Sequence, residues 1–219
     1  MRFDWRRDWL PLAAIVVAFI ASVVVYPRLP DPMPTHWNFA GEADDYSSRL
    51  VGAFMLPLVA LGAYFMMFVW PYFDPRRASL MRSSDVYVLM RTAAILFMVY
   101  LHGIALYSAA TGSTLNNSLV LGGLGVVFLV IGNYMPRIRP NWIAGVRTPW
   151  TLSSDSVWRA THRLAGRIFM LGGAVIIFSA LLADNVTHIA FFGTLMVVAI
   201  IPTLYSLVLF RREQRGSEA

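Results

Sequence analysis

Several groups of side chains in this chain are of types that do chemistry. His36, Asn38, Asp44 and Asp45 stand close together, and imidazole nitrogen with carboxylate oxygen is a donor set for a divalent cation such as zinc. A single histidine without cysteine is a thin set for that purpose. The group reads better as a hydrogen-bonded loop than as a metal centre, and equally well as a surface that meets a ligand. His102 lies deep in an apolar run, where a titratable residue is by default a functional suspect. No acidic residue falls inside the apolar cores, so no proton relay is in sight and a hydrogen bond to a neighbouring helix is the simpler role. Thr161, His162 and Arg163 follow Trp158, but no nucleophile, base and orienting group accompany them, and the nearest carboxylate, Asp155, is a turn or more away. Arg147, Arg159 and Arg163 suit phosphate headgroups or backbone carbonyls. No catalytic residue, no metal ligand and no cofactor is assigned, and the chain is read as not an enzyme.

The elements that must position these groups belong to a membrane. Of 219 residues, 58% are hydrophobic and 14% charged, and the mean hydropathy is +0.60. That is too apolar for an ordinary soluble domain. Cysteine is absent, which excludes disulfides and thiolate metal sites. All eighteen basic residues are arginine and the net charge is +6. In so apolar a chain this charge reads as topology and attraction to anionic lipid, not as direct contact with nucleic acid.

Six apolar stretches are long enough to cross a bilayer as helices: about Trp9 to Tyr26, Val51 to Phe73, Val86 to Ala110, Leu119 to Met135, Ala165 to Ala183 and Ile189 to Phe210. Pro11 is expected in the opening turn of the first, Pro57 as a kink in the second, and Pro202 as a break in the last. Arg91, near the start of the third, is expected to snorkel to the interface. His188 is read as interfacial. The glycines of the fourth, Gly122, Gly123, Gly125 and Gly132, permit close helix contact. The expected class is all-α, a single membrane domain over residues 1–219 with six transmembrane helices.

Two connections differ from the rest. Residues 27–50 are proline-rich and acidic, with an extended course through Pro30, Pro32 and Pro34 and a turn at Gly41. Residues 136–164 form a basic loop and an interfacial helix, rich in arginine and tryptophan. Pro136, Pro140, Pro149 and Gly145 predict an irregular path to Leu152, and Ser153, Ser154 and Asp155 then cap a new helix. On it Trp158, His162 and Ala165 or Gly166 share a face. With the N-terminus in the cytoplasm, sixteen arginines lie on that side and only Arg28 and Arg49 opposite. The positive-inside rule therefore places both termini and residues 136–164 in the cytoplasm, and the proline-rich loop outside.

The second of these connections resembles the hallmark of the SdpI family of bacterial multi-pass membrane proteins, named for immunity to a sporulation-delaying toxin. The matching residues are Gly132, Asn133, Tyr134, Pro136, Pro140, Asn141, Gly145, Arg147, Thr148, Pro149, Trp150, Thr151, Leu152, Trp158, Thr161, His162, Arg163 and Gly166. The first resembles the domain of unknown function with which many relatives open, through Leu29, Pro30, Pro34, His36, Asn38, Gly41, Asp44, Ser48 and Arg49. Ala43 departs from it, where a proline or similar residue is more usual.

The resemblance implies an immunity protein of the bacterial inner membrane that gives resistance to a secreted toxin peptide. It also implies a signal transducer that captures an ArsR-like repressor at the membrane. Toxin contact is expected at His36, Asn38, Asp44 and Arg49, and partner or lipid contact at Arg147, Trp150, Trp158, His162 and Arg163, with membrane lipids as surroundings. The alternative is a small membrane transporter or permeability-modulating protein, which calls for polar residues at mid-membrane on several spans; essentially His102 alone answers. An enzyme acting on lipid-linked substrates is a third reading.

Overall fold

The computed structural model describes residues 4–182 and 184–217. Ala183, expected to end the fifth span, and Arg2, among the basic residues expected inside, lie outside the described residues. Among the described residues six helices are long and apolar enough to cross a membrane: α1 (Trp5–Val25), α2 (Arg49–Val69), α4 (Ser84–Thr111), α5 (Asn117–Tyr134), α7 (Asp155–Ser179) and α8 (Asp184–Ser217). Between them lie a hairpin of β1 (Met33–Trp37) and β2 (Ala43–Ser47) and two single-turn helices, α3 (Arg77–Met81) and α6 (Pro149–Ser153). The chain is a multi-pass membrane protein whose exposed flanks are apolar, as at Val16, Ile20, Val24, Leu171, Phe178, Met196 and Leu204. Lipid, unlike water, imposes no cost on such faces.

Most helix starts follow the expected capping chemistry. Asn116 Oδ1 accepts from Leu119 N at 3.1 Å, and Ser154 Oγ from Val157 N at 3.3 Å. Each satisfies an amide that the helix itself cannot. At α1 the cap is Asp4, which accepts from Arg6 N, while Asp8 Oδ2 accepts from Asp4 N at 2.9 Å. This capping starts α1 four residues earlier than expected. Pro11 therefore sits inside the helix rather than in its opening turn, and Asp8 lies within it. α7 likewise absorbs the separate interfacial helix: residues 155–164 are the first turns of the helix that crosses the bundle. α8 runs through Pro202 without a break.

The helices form two trios. α1, α2 and α4 pack around Ile15, Ala60, Tyr64 and Ile95. α5, α7 and α8 pack around Leu121, Phe128 and Ile176, and α4 meets α5 to join the trios. The closest crossing, α5 on α7, is made by glycines. A Cβ on Gly166 would come 2.7 Å from Gly132 O, and one on Gly173 2.6 Å from Gly125 O, so only glycine allows these backbones to touch.

The extended loop 27–50 is more ordered than a polyproline path. β1 and β2 pair antiparallel with an irregularity around Thr35, and Gly41, at φ +75°, makes the turn. The hairpin and residues 136–154 occupy opposite ends of the bundle, here called the hairpin end and the basic end.

Candidate functional site

At the hairpin end, His36 Nδ1 and Asp44 Oδ1 face each other across the two strands at 2.5 Å, both exposed. Asn38 is committed to the turn. Its Oδ1 accepts from Ala40 N (2.8 Å) and Glu42 N (3.1 Å), and its Nδ2 donates to Glu42 Oε2. Arg49, half-buried, lies over the Tyr26 ring at 5.7 Å, and its backbone N–H donates to Asp31 Oδ1. The four residues expected to form one contact surface therefore divide: His36 and Asp44 display a polar pair, Asn38 shapes the turn, and Arg49 sits at the hairpin base. Among the described residues no cluster of three or more His, Cys, Asp or Glu is arranged to hold a metal.

The hairpin is fastened at its tip. Leu115 N donates to Gly41 O at 2.8 Å and Asn117 Nδ2 to Phe39 O at 2.8 Å, while the Phe39 ring meets His188 and Phe192 edge-on. His188 is thus a packing partner of the tip. Beneath the hairpin a cavity of about 400 Å³ runs between α2, α4 and α5, from His36 and Asn117 down to His102. His102 is buried, and its Nε2 stands 2.9 Å from Ser22 Oγ on α1. The hydrogen bond to a neighbouring helix expected for this residue is therefore present.

At the basic end the irregular path is held by its own polar groups. Asn141, fully buried, accepts from Ile143 N and Ala144 N and donates to the carbonyls of Arg139 and Ala144. Thr148 and Thr151 form a reciprocal cap, Thr151 Oγ1 donates to Val146 O at 2.8 Å, and Thr148 Oγ1 meets Ser206 Oγ of α8 at 3.0 Å. Arg147 Nη1 donates to Trp142 O. The block is stitched to the preceding loop by Trp142 N to Asp74 Oδ2 and Arg139 N to Ser83 Oγ. Arg76 bonds both Asp155 and Leu152 O. Buried backbone groups this well paired make a rigid path.

Trp158 and His162 are not part of the surface, and here the expectation of partner or lipid contact is corrected. Both are fully buried, their rings stacked at 4.0 Å. Trp158 Nε1 donates to Ile138 O. His162 Nδ1 donates to Trp158 O at 2.8 Å and Nε2 accepts from Val146 N at 3.1 Å, a pairing that requires the neutral ring with its proton on Nδ1. Gly145, at φ +107°, lies directly against that ring. Trp158, His162, Ala165 and Gly166 share a face because that face packs inward. Of the expected contact residues, Arg147 and Arg163 are exposed and Trp150 is half-buried.

One site is not foreseen from the sequence. Arg91 does not snorkel. It is 1% exposed, its Nη2 donates to Asp8 Oδ1, and its guanidinium lies over the rings of Tyr64 (4.8 Å) and Phe68 (5.7 Å). An arginine in an apolar interior needs a carboxylate at the same depth; Asp8, carried by the early start of α1, supplies it.

These two ends match two family models. The model described as the SdpI/YfhL protein family matches residues 137–206, and a domain of unknown function, DUF1648, matches residues 13–61. Across nearly the whole length the chain is similar to Immunity protein SdpI of Bacillus subtilis (strain 168). The two are 23% identical over 208 residues, 94% of this chain and 97% of that protein. Through residues 137–206 the chain is similar to the SdpI/YfhL protein family. It is also similar to the uncharacterized membrane protein YbgB of the same organism, 39% identical over 57 residues, 26% of this chain and 57% of that one. No solved structure matches. The SdpI segment spans the basic end and runs on to Ser206, the residue that Thr148 holds, whereas DUF1648 spans the hairpin and the helices that carry it. Asp8 and Arg91 fall outside both segments.

Proposed function

We propose that this SdpI-family chain is an immunity protein of the bacterial inner membrane, giving resistance to a secreted toxin peptide. The observation that carries the reading is similarity over 94% of the chain to a protein named for immunity. The arginine imbalance supports a cytoplasmic basic end and an outward hairpin, where a secreted peptide arrives. On this reading His36 and Asp44 meet the toxin, Asn38 keeps the turn that presents them, and Arg49 anchors the hairpin foot. The reading is one of binding, and His162 has no free nitrogen for acid–base work, since both are occupied by backbone groups.

The same reading gives the basic end a soluble partner, an ArsR-like repressor held at Arg147, Arg163 and the edge of Trp150. Trp158 and His162 act beneath that surface by keeping its shape. The test is in cells that meet the toxin: alanine at His36, Asn38, Asp44 and Arg49 together removes protection while the protein remains in the membrane. Protection intact in that variant sinks the outer assignment. Charge reversal at Arg147 and Arg163 abolishes co-purification of the repressor, and unchanged capture sinks the inner one.

A second reading, a small transporter, gains from the charged pair Asp8–Arg91 and from His102 in the same trio. Ile15, Ala60 and Ile95 fill the space between these levels, which favours a plug over a path. Ion flux through purified protein in liposomes distinguishes the two.

A further inference from the structure

The cavity beneath the hairpin has a composition that selects its occupant. Its walls are apolar, built by Met33 and Trp37 of the hairpin and by Met55, Leu101 and Val120 of the helices. About 400 Å³ is the size range of sites that enclose small ligands or a few side chains. Its floor is His102. The single proton of Ser22 Oγ is directed to the carbonyls of Ala53 (2.6 Å) and Ala18 (3.1 Å), so His102 Nε2 is the donor to Ser22. In the neutral ring Nδ1 is then left as an acceptor.

The hairpin that covers the mouth carries a net negative charge. Residues 27–50 carry Asp31, Glu42, Asp44 and Asp45 against Arg28 and Arg49, and the adjoining link 111–118 carries no charge. A net-acidic hairpin over an apolar hole attracts positive charge and repels negative charge on approach. It then buries whatever apolar group follows.

We propose that this cavity is the docking pocket for the apolar side chains of a cationic amphipathic peptide arriving at the hairpin end. The pocket runs from His36, which Asp44 partners, to His102. It rests on the immunity reading, whose outer site it extends from the hairpin surface into the bundle. The peptide's basic groups meet the carboxylates of the hairpin and its apolar groups replace water or lipid against Met33, Trp37 and Val120. A donor at the tip of one such group, an indole N–H or a phenol O–H, suits His102.

The chain has no cysteine, so one introduced thiol reports on the cavity. Ala105, on the cavity wall, is replaced in the full-length protein (Ala105→Cys), reconstituted in phosphatidylcholine nanodiscs and alkylated with N-ethylmaleimide. A short Leu/Lys amphipathic peptide and a Leu/Glu peptide of the same pattern are the probes. The thiol reacts in nanodiscs, and the Leu/Lys peptide, at about ten times its dissociation constant, slows the reaction about tenfold. The Leu/Glu peptide at the same concentration leaves the rate unchanged. Equal protection by both peptides overturns the proposal, as does protection by neither. Reaction in detergent but not in nanodiscs shows a lipid chain in the pocket and also overturns it. Val120→Cys, on another wall, gives the same readout if Ala105→Cys does not fold. Neither toxin nor living cells enter this assay, so its failure leaves the immunity reading standing. Loss of that reading in cells leaves the binding result standing in turn.

Discussion

Arg91 of α4 donates to the carboxylate of Asp8 of α1 inside the first helix trio, with the faces of Tyr64 and Phe68 beside the guanidinium. Removing either partner strands the other charge in an apolar interior.

Arg91→Leu and Asp8→Ala each lower stability by about 3–5 kcal/mol, the loss typical of a broken buried pair. The double variant loses less than the sum, because neither charge then remains to be desolvated. Thermal unfolding of the purified protein in one detergent measures all three. Additive losses would show that the two residues act independently.

At the basic end, His162→Phe keeps a ring over Trp158 and takes away the acceptor for Val146 N–H. A buried donor without a partner costs about 1–3 kcal/mol. Gly145→Ala costs a similar amount, since φ +107° strains any side chain and the His162 ring occupies the space. The two losses do not add, because both arise at one contact. Unfolding midpoints and tryptophan emission of the single and double variants check this.

The α5–α7 crossing is tested by Gly166→Ala, whose methyl group meets Gly132 O. Overpacking of this kind costs about 1–3 kcal/mol. Gly62→Ala is the control, with open space around the new methyl group; its midpoint stays near that of the parent.

Orientation is read by single thiols. Tyr46→Cys, on the hairpin, is labelled by an impermeant maleimide in intact cells, whereas Ser156→Cys, near the basic end, is labelled only after the membrane is opened. The opposite pattern inverts the topology.

The six spans were legible because six apolar runs of bilayer length are more than a soluble domain of this size can bury, and Ser154 marked a helix start by its type. Tertiary pairing was not. Asp8 falls just ahead of the apolar run that begins at Trp9 and draws no notice there, and Arg91 reads as interfacial, although an arginine some turns into an apolar helix implies a carboxylate at its depth. Trp158 looked interfacial by residue type, while its spacing to His162, Ala165 and Gly166 already described a packing face; spacing was the better guide. The hairpin was hidden by prolines at 30, 32 and 34, which suppress strand propensity without preventing a short irregular pair. Its neighbours, Leu115 and His188, are too far along the chain for local pattern to reveal.

The hairpin stands with its feet on the ends of α1 and α2, and its crown is stitched to Leu115 ahead of α5 and to His188 of α8. It therefore works as a strap buckled across two bodies. Tilting it demands that one trio slide against the other, a movement opposed at the far face by the bonds of Trp142 N to Asp74 and of Arg76 to Asp155.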